Sequence, residues 1–193
     1  VDEAGRGPLA GPVFAACVVL PVDRPWLVEE LRGLTDSKRL SHAARRTWAR
    51  RLRGRPDVSI GVGWATVEEI ERLDIHCATH LAMRRAVGRV RPPPDFLLVD
   101  GRPVPGLPAP SRAIVGGDGL SLSIAAASVI AKVVRDRYMA ALDRRHPGYG
   151  FARHKGYGTR EHLEALRRLG PCPAHRRSFA PVAAAVSWLP GLR

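Results

Sequence analysis

Val1-Asp2-Glu3-Ala4-Gly5-Arg6-Gly7-Pro8-Leu9-Ala10-Gly11-Pro12 is the stretch around which the rest of the chain is read. Asp2 and Glu3 are adjacent carboxylates, a donor set for hard cations such as Mg²⁺, which take oxygen ligands and keep waters that a substrate phosphate can displace. Gly5 and Gly7 flank Arg6, and a glycine has no Cβ to hold a ligand away from the backbone N–H. A candidate metal site and a candidate ligand cradle therefore lie side by side. Taken alone, the same residues also fit a solvated segment followed by an ordinary turn.

Composition narrows the choice. A chain of 193 residues suits one domain, spanning 1–193, and a domain of that size buries roughly 70% of the surface its unfolded form exposes. The 45% hydrophobic and 25% charged content are ordinary, whereas a formal charge of +13 and a pI near 11.1 are not. An anionic partner is implied, most simply nucleic acid. Of the 31 basic residues only Lys38, Lys132 and Lys155 are lysine, so codon habit is a competing source of the charge. Cys17, Cys77 and Cys172 are too few and too far apart for a zinc spacing or a disulfide framework, which points to a reducing cytoplasm. No apolar run approaches the ~20 residues of a membrane helix, and the first residues lack the pattern of a signal peptide. A soluble, cytoplasmic, monomeric protein without membrane association is expected.

Residues 13 to 20, Val-Phe-Ala-Ala-Cys-Val-Val-Leu, are a continuous apolar run, as in a strand buried on both faces, with Cys17 as inert filling. A helix is predicted around Trp26 to Arg32. Asp36-Ser37-Lys38-Arg39-Leu40 is a polar turn, after which Ser41 caps a helix with an apolar stripe at Ala44, Trp48 and Leu52. Arg45, Arg46, Arg50 and Arg53 take its other face. Val58, Ile60, Val62 and Trp64 alternate with Ser59, Gly61 and Gly63, a strand whose apolar set marks one buried face. Thr66 and Glu69 form a capping box for a short helix, and Asp74 caps a longer one with Ile75, Ala78, Ala82 and Ala86 on its core side. His76 and His80 lie one turn apart there, but a zinc site needs three or four protein ligands and no further one is identifiable. Phe96 to Gly101 reads as a buried strand that delivers Asp100 at its carboxyl end, where open α/β sheets bind ligands. Ala113 to Val115 is a short strand, followed by Gly116-Gly117-Asp118-Gly119. A helix runs from Ser121 to Tyr138, its small residues allowing close approach to the sheet. Thr159 caps a helix through Leu163, Leu166 and Leu169, stopped by Gly170-Pro171, and a short apolar helix closes the chain.

Together these segments resemble the ribonuclease HII family. The resemblance rests on the opening dodecapeptide, on Asp36-Ser37-Lys38, on Val99-Asp100-Gly101 and on Asp118 among glycines. It continues through Ser123-Ile-Ala-Ala-Ala-Ser-Val-Ile-Ala-Lys-Val-Val-Arg-Asp136, Tyr149-Gly150-Phe151, His154 to Thr159 and His175 to Phe179, so it covers nearly the whole chain. It implies a ribonuclease H-like α/β fold: a mixed central sheet flanked by helices, with a helical C-terminal region. It implies an endonuclease that cuts the RNA strand of RNA/DNA hybrids and nicks ribonucleotide-containing duplex DNA on the 5′ side of the ribonucleotide, leaving a 3′-hydroxyl and a 5′-phosphate. Asp2, Glu3, Asp100 and Asp118 would hold two Mg²⁺ or Mn²⁺ ions, with Asp136 the rival to Asp118. Gly5, Arg6 and Gly7 would read the ribose 2′-hydroxyl, Tyr157 would pack at the RNA-to-DNA junction, and Ser37, Lys38, Lys155, Arg176 and the arginine face beyond Ser41 would meet phosphates.

The chain departs from the family pattern in three places. Gly116 stands where the family commonly has lysine, Asp74 where it usually has asparagine, and the sequence begins inside a strand that family members extend upstream. These leave open a homologue that binds nucleic acid but has lost catalysis. A related metal nuclease acting on DNA alone is a further alternative, against which the Gly5 to Gly7 turn and Tyr157 speak. One geometric difficulty stands as well: successive strand residues face opposite ways, so Asp2 and Glu3 share a site only if the strand ends or bends at Glu3.

Overall fold

Alternation along one buried strand sets up two layers of helix. In the computed structural model, which describes residues 1–21, 23, 24 and 26–187, β2 (Val13–Val19) lies between β1 (Asp2–Ala4) and β3 (Ser59–Ala65), antiparallel to both. Val13, Ala15 and Cys17 of β2 join one core cluster, while Ala16 and Val18 join another. β4 (Leu97–Asp100) pairs in parallel with β5 (Ser111–Ile114). The main-chain nitrogen of Val1 donates to the Leu98 carbonyl at 2.6 Å, and Asp100 N–H donates to the Val1 carbonyl at 2.9 Å. The three-stranded sheet, in the order β1-β2-β3, and the two-stranded β4-β5 sheet are joined by these two bonds at Val1, which set β1 beside β4. The last residues of the expected domain, 188–193, lie outside the described ones.

α1 (Leu27–Glu30), α2 (His42–Arg53) and α4 (Leu122–Arg145) pack on one face through Leu27, Leu31, Trp48, Leu52 and the alanine-rich side of α4. α3 (Val67–Val87) covers the other face. Both expected caps organise it. Thr66 and Glu69 form the reciprocal capping box. Asp74 then breaks the helix with φ 67° and ψ 165°, its Oδ1 accepting from the N–H groups of His76 (2.6 Å) and Cys77 (3.0 Å).

The period-two strand is present in β3, but its buried face is the reverse of the expected one. Gly61, Gly63 and Ala65 are buried, Ile60 and Val62 are half-buried, and Trp64 is exposed. The cause is the closeness of α3: a Cβ on Gly61 would sit 2.0 Å from the Ala86 carbonyl oxygen, and one on Gly63 2.2 Å from that of Ala82. Backbone occupies the space that valine or isoleucine would need.

The C-terminal region consists of α5 (Phe151–His154), α6 (Arg160–Leu169) and α7 (Ala180–Ser187). Leu9 of the opening loop packs with Leu166, Val182 and Ala185, and main-chain bonds run from Leu9 N–H to the Gly156 carbonyl and from Arg176 N–H to the Leu9 carbonyl, each 2.8 Å. The opening loop and the C-terminal region are thereby bound to each other.

Candidate active site

Asp2 on β1, Asp100 at the end of β4 and Asp118 in the turn Gly117–Gly119 each offer a carboxylate oxygen within 4.8 Å of the others. Local structure holds them there. Asp100 Oδ1 accepts from Gly117 N–H at 2.7 Å, which fastens the Asp118 turn to β4. A side chain at Gly117 would collide with Ile124 at 2.5 Å. Asp136 is elsewhere, on α4, where its carboxylate pairs with Lys132 at 2.6 Å.

Glu3 adds no oxygen to this group of three. β1 keeps regular pairing through Glu3, with Asp2 opposite Ala16 and Glu3 opposite Ala15, so the two carboxylates leave the strand on opposite faces. Glu3 instead lies 3.6 Å from Arg6 and shares with Asp100 and His80 an adjoining cleft. The expected bend at Glu3 is absent because Ala4 continues the ladder, opposite Phe14. His76 and His80 lie with ring centroids 4.2 Å apart at that cleft, and among the described residues they join no group of metal-ligating side chains.

The carboxylates are electrostatically uncomfortable. Burial, then Glu3 and Asp100, pushes Asp2 up to about 8. Burial also raises Glu3, with Arg6 acting against the shift and Asp100 adding to it. Asp118 is raised by burial and by Asp36 and Asp100. The cation brought to this cluster is Lys38: burial acts to lower it, but the carboxylates of Asp36, Asp118, Asp2 and Asp100 together raise it. A lysine from the Asp36–Leu40 turn thus stands in the field that Gly116 leaves without one. Closely spaced oxygen donors, with Asp2 and Asp118 held above the ordinary carboxylate range, fit a hard divalent ion, which relieves the repulsion that one ammonium leaves.

The loop after Glu3 is built on two buried arginines. Arg176 donates to the carbonyls of Gly5 (2.6 Å), Arg6 (2.8 Å) and Gly11 (2.7 and 2.9 Å), and Arg135 donates to those of Ala10, Pro12 and Lys155. Gly5 has φ +102°, and a Cβ there would stand 2.0 Å from Arg135 Nε. Gly7 faces the exposed ring of Tyr157, whose Cε1 is 3.9 Å from a Cβ built on Gly7.

These contacts correct two phosphate assignments. Arg176 is fully buried, so its guanidinium supports the loop instead of meeting substrate. Ser37 is buried too, its hydroxyl accepting from Ser128 at 2.8 Å behind Asp2. Lys155 is half-buried with φ +54°, and its ammonium donates to the Ala152 carbonyl. Arg6, Lys38 and Tyr157 remain at the surface of the site. Asp36, beside Asp118, and Ser128, beside Asp2, are further neighbours of the carboxylates; in the sequence only the Asp-Ser-Lys tripeptide signals Asp36.

Residues 1–182 match the family model described as ribonuclease HII. The chain belongs to the ribonuclease HII family. It is 57% identical over 195 residues to ribonuclease HII of Rhodospirillum rubrum, covering 99% of this chain and 88% of that one. It is 57% identical over 185 residues to ribonuclease HII of Halorhodospira halophila, covering 94% and 91%. The crystal structure of ribonuclease H2 from Pyrococcus horikoshii superposes with a TM-score of 0.80 at 26% identity, over 96% of this chain and 95% of that one. The fold is the α/β ribonuclease H type, and the protein is a metal-dependent ribonuclease H enzyme. Among the described residues no helix is long and apolar enough to cross a membrane.

Proposed function

We propose that the protein hydrolyses the RNA strand of RNA/DNA hybrids and nicks duplex DNA on the 5′ side of an embedded ribonucleotide, leaving a 3′-hydroxyl and a 5′-phosphate. The supporting observation is that Asp2, clustered with Asp100 and Asp118, lies on the strand that runs directly into the Gly5–Gly7 loop, against which the Tyr157 ring is set. Asp2, Asp100 and Asp118, with Glu3 at the rim, would hold Mg²⁺ or Mn²⁺. Bound there, such ions would supply activation of water and relief of charge on the leaving oxygen.

The chain's own groups supply recognition. A trans peptide places its C=O and N–H on opposite sides. Because the Gly5 and Arg6 carbonyls point at the buried Arg176 guanidinium, the N–H groups of Arg6 and Gly7 point the other way. Two outward N–H donors beside an aromatic ring suit a ribose 2′-hydroxyl and its phosphate, the group by which a protein tells RNA from DNA. Lys38 balances part of the negative charge when a phosphate approaches.

Duplex DNA containing one ribonucleotide, incubated with Mg²⁺ or Mn²⁺, tests the reading. A single nick 5′ to the ribonucleotide is expected. Binding without cleavage would indicate a catalytically impaired homologue, and cutting of all-DNA duplex would overturn the proposed selectivity.

A further inference from the structure

We propose that the groove between α2 and α4 is a second nucleic-acid subsite, which takes the phosphodiester backbone of the duplex on one flank of the cleavage position. The inference rests on the function proposed above. The groove has a volume of about 870 Å³ and draws its charge from Arg45, Arg46, Arg50, Arg53, Arg137 and Lys155. Asp136 is the acid on its wall, and Lys132 already holds that carboxylate at 2.6 Å.

Some arginines elsewhere on the chain pair with acids, Arg24 with Asp57, Arg55 with Glu30, Arg85 with Glu69, Arg153 with Glu161 and Arg160 with Glu164. Others, such as Arg72 and Arg112, are exposed and enter no ion pair among the described residues, so it is the clustering along one groove that sets four further arginines apart. Arg46, Arg50, Arg53 and Arg137 are exposed and enter no ion pair among the described residues. α2 carries no acid at all. Its last-turn arginines suit the negative end of the helix dipole, but Arg45 and Arg46 lie near the positive end, where cations are disfavoured. Arg46 and Arg50 are also like charges at i,i+4, a destabilising spacing. Helix stability therefore does not account for this charge, whereas a polyanion in the groove does.

The groove is continuous with the site. Arg45 Nη1 donates to the carbonyls of Ser37 (2.7 Å) and Leu40 (2.5 Å), in the turn that carries Lys38 to the carboxylates. Lys155, at the other side, is two residues from Tyr157. A helix of twelve residues is ~18 Å long, and phosphates of one strand recur every ~3.4 Å along a duplex axis, so α2 faces about five of them.

Arg46, Arg50 and Arg53 are replaced together by glutamine, with retained folding checked by thermal unfolding. The probes are duplex DNAs with one ribonucleotide placed centrally or close to either end, assayed across a salt series. The expected loss sits in KM for the central duplex, and the log–log salt slope shrinks by roughly 0.9 for each phosphate contact removed. A duplex shortened on the groove side should already bind poorly to wild type and respond little to the substitutions. An unchanged salt slope overturns the proposal and leaves the groove to an acidic protein. Equal losses on duplexes shortened at either end also overturn it, since that marks a diffuse field instead of a subsite. Should wild type cut none of these duplexes, the proposed function fails, yet flank-dependent binding lost in the triple variant would still uphold the groove.

Discussion

His162 Nε2 lies 3.1 Å from His175 Nε2, and the neighbours of the two rings fix which nitrogen carries the proton. His162 Nδ1 is 2.9 Å from the Tyr157 carbonyl oxygen, which can only accept, so that nitrogen bears hydrogen. Neutral His162 then presents a bare Nε2 to His175 Nε2–H, and His175 Nδ1 is free to accept from Cys172 N–H at 3.0 Å. One tautomer of each ring satisfies every contact, and a further proton would set N–H against N–H. Burial, then the neighbouring His162, lowers His175 to about 4. Its unfolded value is ~6.5, so the unfolded chain takes up the proton first: this stability is complete above pH ~6.5 and is lost as pH falls towards ~4, by about 3 kcal/mol. Asp2, raised to about 8, titrates with the opposite sign in the ion-free protein. The informative measurement is therefore denaturant unfolding of wild type minus that of His175→Asn between those pH values. A difference that does not change with pH would show that the relay is not locked in the neutral form.

Asp100→Asn keeps an oxygen able to accept from Gly117 N–H, so the turn carrying Asp118 should stay in place. What disappears is a charge of the carboxylate cluster. Removing an indirect partner of a metal ligand typically costs ~10–100-fold, so loss of a direct donor should lower cleavage by more than about 100-fold while hybrid binding is largely kept. Asp118→Asn should behave alike. Asp136→Asn, which touches only the pair with Lys132, should stay within a few-fold of wild type; a collapse there and none at Asp118 would exchange their roles.

Gly5→Ala places a Cβ 2.0 Å from the buried Arg135 Nε at φ +102°. The left-handed conformation alone costs ~1–2 kcal/mol, and the clash adds to it, so a total above about 3 kcal/mol is expected, lowering Tm by about 6–12 °C. Gly101→Ala is the control: φ is +80° but nothing lies within 4 Å of the new methyl, leaving strain only. Equal Tm shifts in the two variants would contradict the packing of Arg135 under the loop.

Arg176→Lys separates support from recognition. Lysine cannot reach the carbonyls of Gly5, Arg6 and Gly11 together, and each buried group left unsatisfied costs ~1–3 kcal/mol. Tm should fall sharply while the salt dependence of nucleic-acid binding keeps its slope. A shallower slope with unchanged Tm would return Arg176 to the phosphate contacts.

What was legible in the sequence is what a few neighbouring residues decide. Ser41, Thr66, Asp74 and Thr159 cap where they were expected to, each accepting from an N–H two or three positions on. Strand 13–19 was legible because an uninterrupted apolar run has few alternatives. The inward face of β3 was not, since it depends on how closely Ala82 and Ala86 of α3 approach Gly63 and Gly61. Arg176 reads as a surface cation in any local window, and only the closure of the C-terminal region over the first loop buries it. The opposite departures of Asp2 and Glu3 were legible as a conflict; the β1 ladder stays regular through Glu3, and both carboxylates nevertheless feel the charge of Asp100.

Tyr157 is half-exposed over Gly7, while its carbonyl is held from below by His162. The backbone is thus anchored and the ring is left to contact substrate. Base or sugar stacking on an exposed ring is worth ~1–3 kcal/mol, so Tyr157→Ala should lower cleavage at a single ribonucleotide by about 5- to 150-fold. Binding to all-DNA duplex, carried by the arginines, should change little. Tyr157→Phe keeps the ring and should keep most of the activity, because the hydroxyl is not needed for stacking. If alanine reduces binding to both duplexes equally, and Tm falls with it, Tyr157 is a packing residue of the loop and the junction is read by the Arg6 and Gly7 N–H groups alone.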